Sequence, residues 1–257
     1  MLDFPFDPIK RAQEVESIVT CGLDRKYHRF RPAPYYGGIA TADAVGCCFL
    51  CAYCWSYFRI VNPQKHGKFY SPEAVSDRLL KIAQKKRFKY VRITGCEPIL
   101  GERSLEHLVK VIECTLKTNN NLTFVLETNG LLLGYYPDFI KPLNIPHLTI
   151  RVAIKGWDPD SFQEITGADK NYFEYPLIGL KMMIEQGLDT WPAVMWDVFK
   201  KDGVNKLKIK MRSMGLDCKL ETEELERYPY VMENISKRGI KGRWRYVRDA
   251  GNQSGSP

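Results

Sequence analysis

Apolar positions recur along this chain in two rhythms that take turns. Short β-branched or apolar runs alternating every second residue read as strands, and longer stretches with apolar residues three and four apart read as helices. The pattern opens with a helix from Pro8 to about Val19. The stretch KYHRFRPAPYYGG, rich in Pro, Gly and aromatics, reads as an irregular lead-in. A short strand from Ile39 to Val45 then delivers a loop crowded with cysteines. Beyond it, SPEAVSDRLLKIAQKKR predicts a helix capped by Ser71, with Pro72 at its first position. KYVRITG predicts a strand, SLEHLVKVIECTLK an amphipathic helix, LTFVLETNG a strand, YYPDFIKPL a short helical connector and HLTIRVAIKG a strand. DPDSFQEITG and YFEYPLIGLKMMIEQG read as helical, the second ended by Gly187. DTWPAVMWDVF reads as a strand whose start Pro192 marks; VNKLKIKMRSMG is helix, and DCKLETEEL the last strand. Strands separated by helical crossovers make βα units and a parallel sheet, an α/β fold.

Composition narrows the picture without redirecting it. The 257 residues suffice for a full core, and the 44% apolar and 26% charged fractions are those of an ordinary globular chain. No apolar run reaches the ~18 residues of a membrane-crossing helix. The N-terminal segment lacks a basic stretch followed by an apolar one, so it does not read as a secretory signal. The expectation is a cytoplasmic protein in a reducing compartment, where dense cysteines bind metal or do redox chemistry rather than form bridges. A net charge of +8 favours a polyanionic partner, with solubility as the plainer explanation. The basic stretch SKRGIKGRWRYVRD, with Trp244 and Tyr246 interleaved, suits a phosphate backbone by charge and stacking; the plainer reading is a packed terminal segment. The final GNQSGSP is low-complexity and reads as disordered.

The cysteines carry the chemistry. Four of the eight fall within VGCCFLCAYCWSY. Cys47, Cys51 and Cys54 follow a C-x3-C-x2-C spacing, which lets a short loop turn three thiolates toward one point. A cubane iron–sulfur cluster normally takes four thiolates. Three leave one iron without a protein ligand, and an open coordination position marks a reactive metal site rather than a structural one. The competing arrangement is structural zinc on Cys48, Cys51 and Cys54. Zinc ribbons want a second C-x2-C pair, and Cys21, Cys96, Cys114 and Cys218 stand alone.

Four strands also run into polar residues. VRITG ends in Cys96, Glu97 and Pro98; TFVLE in Thr128, Asn129 and Gly130; LTIRVAI in Lys155 and Gly156; TWPAVMW in Asp197. In parallel α/β folds, functional residues gather at the carboxyl ends of strands.

With Tyr53 just before its third cysteine, the loop CCFLCAYC resembles the signature of the radical S-adenosylmethionine (AdoMet) superfamily. The resemblance runs from about Gly37 to Thr222. It implies a partial (β/α)6 TIM-type barrel over residues 37–225, preceded by an N-terminal helical lead-in (1–36) and followed by a short C-terminal extension (226–257). It implies a [4Fe–4S] cluster on Cys47, Cys51 and Cys54, with Cys48 a bystander. The open iron binds the methionine moiety, and an electron cleaves the sulfonium to a 5′-deoxyadenosyl radical that takes hydrogen from substrate.

TGCEP resembles the family's G-G-E-P motif, in which Gly95 permits close backbone approach and Glu97 meets the methionine amino group; Pro98 completes it. Cys96 departs from that motif, where glycine is usual. Thr128 and Asn129 of ETNG resemble the segment that contacts the ribose or methionine part. Lys155 resembles the basic residue that meets the carboxylate, with Arg151 on the same face of its strand and a weaker candidate for the interior. Trp196 and Val194 are candidates for lining the adenine or substrate region, with core packing as the alternative. The family implies a ferredoxin or flavodoxin as electron donor. A partner protein, a tRNA or a small molecule remains open as substrate, and a non-catalytic electron-transfer protein or a zinc-stabilised RNA-binding module as alternatives.

Overall fold

Residues 3–240 are described by the structure, a computed structural model. The helix expected at the start is α1 (Pro8–Val19), capped by Asp7, whose carboxylate accepts from Ile9 N at 2.8 Å. Three strands follow, β1 (Thr20–Cys21), β2 (Asp24–Ala33) and β3 (Ile39–Ala44). The lead-in read as irregular is therefore largely strand: β2 pairs antiparallel with β3 and with β4 (Lys68–Tyr70). Its alternation is hidden because the register slips between Tyr27 and Arg29, and a bulge moves every later side chain to the other face. Its charges are also answered within the sheet, since Arg29 and Arg31 both donate to Asp43 of β3.

From β3 onward the expected alternation holds. The short α2 (Tyr57–Val61) follows the cysteine loop, and α3 (Pro72–Lys86) starts at Ser71, whose hydroxyl accepts from Ala74 N at 3.3 Å. Next come β5 (Tyr90–Thr94), α4 (Glu102–Thr118), β6 (Thr123–Thr128), an unexpected short α5 (Leu131–Tyr135), and β7 (Leu148–Ala153). The chain then forms α6 (Pro159–Thr166), α7 (Tyr175–Glu185), β8 (Thr190–Met195), α8 (Trp196–Ser213), which takes Trp196–Phe199 from the expected strand, β9 (Glu221–Glu223) and a further unexpected helix, α9 (Pro229–Lys237). Pro192 lies two residues inside β8 rather than at its start.

One sheet takes the order β1-β2-β3-β5-β6-β7-β8-β9, with β4 on β2. The six strands from β3 to β9 on this path are all parallel to their neighbours, which makes the chain an α/β protein with a partial barrel. Its two faces differ. Ala42, Val91, Ile93, Phe124, Leu126, Ile150 and Val152 are buried with helix residues such as Leu79, Leu108 and Leu180 in the main core. On the other face, a small apolar cluster of Ala33, Ile39 and Val125, with Tyr90 and Trp191 against it, forms the floor. Above that floor the strands carry charge instead of carbon.

Among the described residues, no helix is long and apolar enough to cross a membrane. Most of the basic C-terminal stretch, including Trp244 and Tyr246, and all of GNQSGSP lie outside the described residues.

Candidate active site

The cysteine loop leaves β3 and passes over the carboxyl ends of the parallel strands. Gly46 turns it, at φ 87°, where a Cβ would lie 2.5 Å from Val15 Cγ1. Its thiols then separate. Cys47, Cys51 and Cys54 line a cavity of about 700 Å³. Cys48 is fully buried, lies outside the cavity wall, and accepts a hydrogen bond from Asn129 Nδ2 at 3.1 Å. The hydrogen bond from Cys48 holds the Cys47 thiol below its ordinary value. Burial pushes Cys51 up to about 12 and Cys54 well above its ordinary value.

The strand-end residues meet at the same cavity. Tyr53, Gly95, Cys96, Glu97, Thr128, Asn129 and Lys155 all line it. Pro98 does not; it is buried behind the rim. Glu97 is the hub. It is 3% exposed, and its carboxylate accepts from Ile99 N at 3.0 Å, Thr128 Oγ1 at 2.7 Å and Asn129 N at 2.7 Å. Burial nonetheless raises it to about 7, outweighing those bonds. Its backbone is tied down as well: Glu97 N donates to Gly46 O, and Arg25 Nη2 donates to Glu97 O at 2.7 Å.

The departure at Cys96 is accommodated. Gly95, not Cys96, takes the left-handed backbone, at φ 89°, and a Cβ on Gly95 would stand 3.1 Å from Asp43 Cβ. Cys96 keeps an ordinary backbone and turns its thiol to the cavity. Lys155 Nζ lies 5.4 Å from the centre of the Tyr53 ring. The Tyr53 hydroxyl is buried without a hydrogen-bond partner.

Several expected or overlooked residues fall elsewhere. Val194 is buried in the main core, and Trp196 is 42% exposed at the start of α8, so Met195 lines the cavity in their place. Asp197 is not on the wall either; its carboxylate accepts from Leu225 N at 2.8 Å and braces the segment after β9. Arg151 is a stronger participant than its position in sequence implied. It sits on the inner face, 5% exposed, and donates to Glu221 at 3.1 Å and Glu223 at 2.8 Å. Burial pulls its guanidinium down, but Glu223, Glu127 and Glu221 together outweigh that and hold it above its ordinary value.

Arg151 belongs to a band of charge across the inner face. Asp43 takes both Arg29 and Arg31, at 2.6 and 2.8 Å. Arg92 donates to Glu127 at 2.6 Å and to Thr41 Oγ1 at 3.0 Å; Thr94 donates to Glu127 as well. Arg29 and Arg31 also lie 5.7 and 5.8 Å from the centre of the Trp55 ring. These residues line the cavity, apart from Asp43 and Thr41 beneath them. The wall is thus polar and nearly self-compensated.

Whether these residues suit an iron–sulfur cluster is a question of donors. Three thiols of one loop open to one cavity, beside a carboxylate, a lysine and an orphaned buried tyrosine hydroxyl. That donor set fits a cluster with a small polar ligand beside it. Among the described residues, no three His, Cys, Asp or Glu side chains converge closely enough to hold a single metal ion.

Parallel barrel, cysteine loop and polar strand ends define a class, and sequence comparison agrees with it. The sequence model of the radical SAM superfamily matches residues 43–198, more than half of the chain. The chain belongs to the radical SAM superfamily, a superfamily of enzymes whose cofactors are a [4Fe–4S] cluster and AdoMet. It is 26% identical over 207 residues to a probable GTP 3′,8-cyclase of Methanococcus aeolicus, covering 76% of this chain and 65% of that protein. It is 26% identical over 168 residues to the FeMo cofactor biosynthesis protein NifB of Frankia alni, covering 59% and 32%. Among solved structures, native anSMEcpe with bound AdoMet superposes with a TM-score of 0.53 at 18% identity, over 72% of this chain and 53% of that one. Spore photoproduct lyase complexed with dinucleoside spore photoproduct gives 0.52 at 14% identity, over 79% and 61%. These structural likenesses speak for the fold. The chain spans less than two thirds of the length of each of these proteins.

Proposed function

We propose that Cys47, Cys51 and Cys54 hold a [4Fe–4S] cluster whose remaining iron is left to AdoMet, and that the chain uses the pair to take hydrogen from a polar substrate. The observation that carries this is the division of the loop's four thiols: three open to the cavity, and Cys48 is buried behind the wall, bonded by the Asn129 amide. When bound, the two cofactors supply reductive cleavage of the sulfonium and a carbon-centred radical.

The chain's own residues bind, orient and shield. Glu97, held by Thr128 and the Asn129 backbone, accepts from the methionine ammonium. Lys155, beside the Tyr53 ring, meets its carboxylate. Gly95 lets that ligand approach the backbone, and Cys96, Thr128 and Asn129 fill out its walls. Tyr53, with an unspent hydroxyl, offers one more hydrogen bond. The apolar floor of Ala33, Ile39 and Val125 closes the barrel beneath the site, which keeps water from a reactive intermediate.

The charged band supports a hydrophilic substrate, because an apolar one would take the water from ion pairs whose remaining hydrogen-bonding positions it cannot fill. The name of one relative, a probable GTP 3′,8-cyclase, makes GTP the first compound to try. A ferredoxin or flavodoxin as electron donor belongs to the same proposal.

Serine substitution with iron and sulfide counting on anaerobically reconstituted protein tests the ligand assignment. Cys48→Ser is expected to keep a full cluster, and Cys47→Ser, Cys51→Ser and Cys54→Ser to lose it. An intact cluster in Cys47→Ser would overturn the assignment.

A further inference from the structure

Three arginines grip the loops of the site by their backbone, with no acid to answer them. Arg11 of α1 donates to Ile60 O at 2.6 Å, just past the cysteine loop. Arg25 of β2 donates to Glu97 O at 2.7 Å and Val45 O at 3.4 Å. Arg238, just past α9, donates to Leu50 O at 2.8 Å, inside the loop itself, and to Glu164 O at 3.2 Å. None of the three is in an ion pair with a carboxylate among the described residues.

Two of them are deeply enclosed. Arg11 is 6% exposed and Arg25 1%, and Arg11 Nε, Arg25 Nε and Arg25 Nη1 have no hydrogen-bond partner. A buried cation without an anion is costly, and burial lowers the pKa of both guanidiniums. The rest of the fold treats its inner-face arginines differently, giving Arg92 and Arg151 a glutamate each at least. Two of the acceptors flank the thiols: Val45 stands two residues before Cys47, and Leu50 one residue before Cys51. The cations stand around the cysteine loop.

We infer that Arg11 and Arg238, with Arg25 behind the Glu97 loop, form a cationic collar that balances the charge of the cluster and raises its midpoint potential. This rests on the reading of Cys47, Cys51 and Cys54 as cluster thiolates. A cluster held by three thiolates is a net anion, and the electron it takes from a low-potential one-electron donor adds one negative charge. A nearby buried cation therefore stabilises the reduced form more than the oxidised one. The collar makes reduction easier from the side of the loop facing away from the cavity, which leaves the open face to ligand and substrate. It also explains why these arginines bond carbonyls alone: a carboxylate partner would cancel the charge.

The test is an EPR-monitored redox titration of the full chain, reconstituted anaerobically with iron and sulfide, with dithionite as reductant. Wild type is compared with Arg11→Gln, Arg11→Lys and Arg238→Gln. Glutamine keeps a donor for the loop carbonyl and removes the charge; lysine keeps the charge. Both glutamine variants are expected to titrate at lower potential than wild type, and Arg11→Lys at the wild-type value. Glutamine variants with a full cluster at the wild-type potential would overturn the collar, as would an Arg11→Lys that falls with them. Should Arg11→Gln fail to take up cluster, Arg238→Gln, on the half-buried C-terminal segment, decides alone. A wild-type chain that takes up no cluster refutes the ligand assignment instead.

Discussion

Glu97 shows how one residue sets both the shape and the charge of the rim. Its carboxylate joins the ends of β5 and β6 through Thr128 and the Asn129 backbone, and burial raises it to about 7. An ammonium ligand prefers the ionised form, so AdoMet binding is expected to strengthen as pH rises through about 7. Glu97→Gln should weaken that binding roughly 10- to 100-fold and flatten its pH dependence. Equilibrium dialysis of the reconstituted protein checks both, and an unchanged affinity would remove Glu97 from the ligand's contacts. Cys47, Cys51, Cys54, Glu97 and Lys155 were legible because the spacing of thiols and the polar ends of strands survive in one dimension. Arg29, Arg31, Arg92 and the weight of Arg151 were not. Charge at every second position of a strand reads as a solvent face, and only the curvature of a barrel turns that face inward. Cys96 looked discordant for a similar reason, because which of two neighbouring residues takes the left-handed backbone is a matter of geometry.

At the level of elements, the lesson is β2. A bulge and a run of arginines hid a strand that supplies Arg29 and Arg31 to the cavity wall and Arg25 behind the Glu97 loop. The same strand is anchored from outside by α4, through His107, which is 1% exposed. Its Nδ1 pairs with Leu23 O at 2.7 Å and its Nε2 with the Tyr27 hydroxyl at 3.0 Å. Burial lowers His107 to about 4. A depressed histidine is neutral in the folded chain and protonated in the unfolded chain between that value and its ordinary one. Its contribution is therefore intact above about 6.5 and is lost as pH falls toward about 4, by up to roughly 3 kcal/mol. Urea unfolding between pH 7 and 4 is expected to show this loss, and His107→Gln to flatten it. A wild-type slope in the variant would mean that other groups set the acid limit. The helices α1, α3, α4 and α7 were legible from caps or period, but the first turn of α8 read as the end of the strand before it. The five-residue α2 and α5 were not, because so short a helix holds too few turns to display a face, and α9 was missed as well.

The whole molecule is organised by the contrast between the sheet's two faces. Helices bury the outer face in the main core, while the inner face carries charge from β2 to β9 over a small apolar floor. Arg92 and Glu127 are its most enclosed pair, with side chains 6% and 14% exposed. Arg92→Met leaves Glu127 with Thr94 as its hydrogen-bond donor and only the charge of Arg151 nearby, and is expected to cost about 3 kcal/mol, measured by denaturant unfolding. Arg92→Met with Glu127→Leu should recover most of that. A single variant as stable as wild type would mean that the band is surface charge and no part of the structure's support. The parallel sheet was legible as alternating strands and helices and the partial barrel from the resemblance that the cysteine loop carries, whereas the polar interior that the proposed substrate would meet emerged only from the register of neighbouring strands.

The central claim is that three thiols and a polar rim make this chain a generator of radicals from AdoMet. The most direct measurement is the formation of 5′-deoxyadenosine by reconstituted, fully reduced protein supplied with AdoMet. The account predicts 5′-deoxyadenosine from wild type and from Cys48→Ser, and none from Cys47→Ser. No 5′-deoxyadenosine from wild type, with its cluster shown to be reduced, would contradict it.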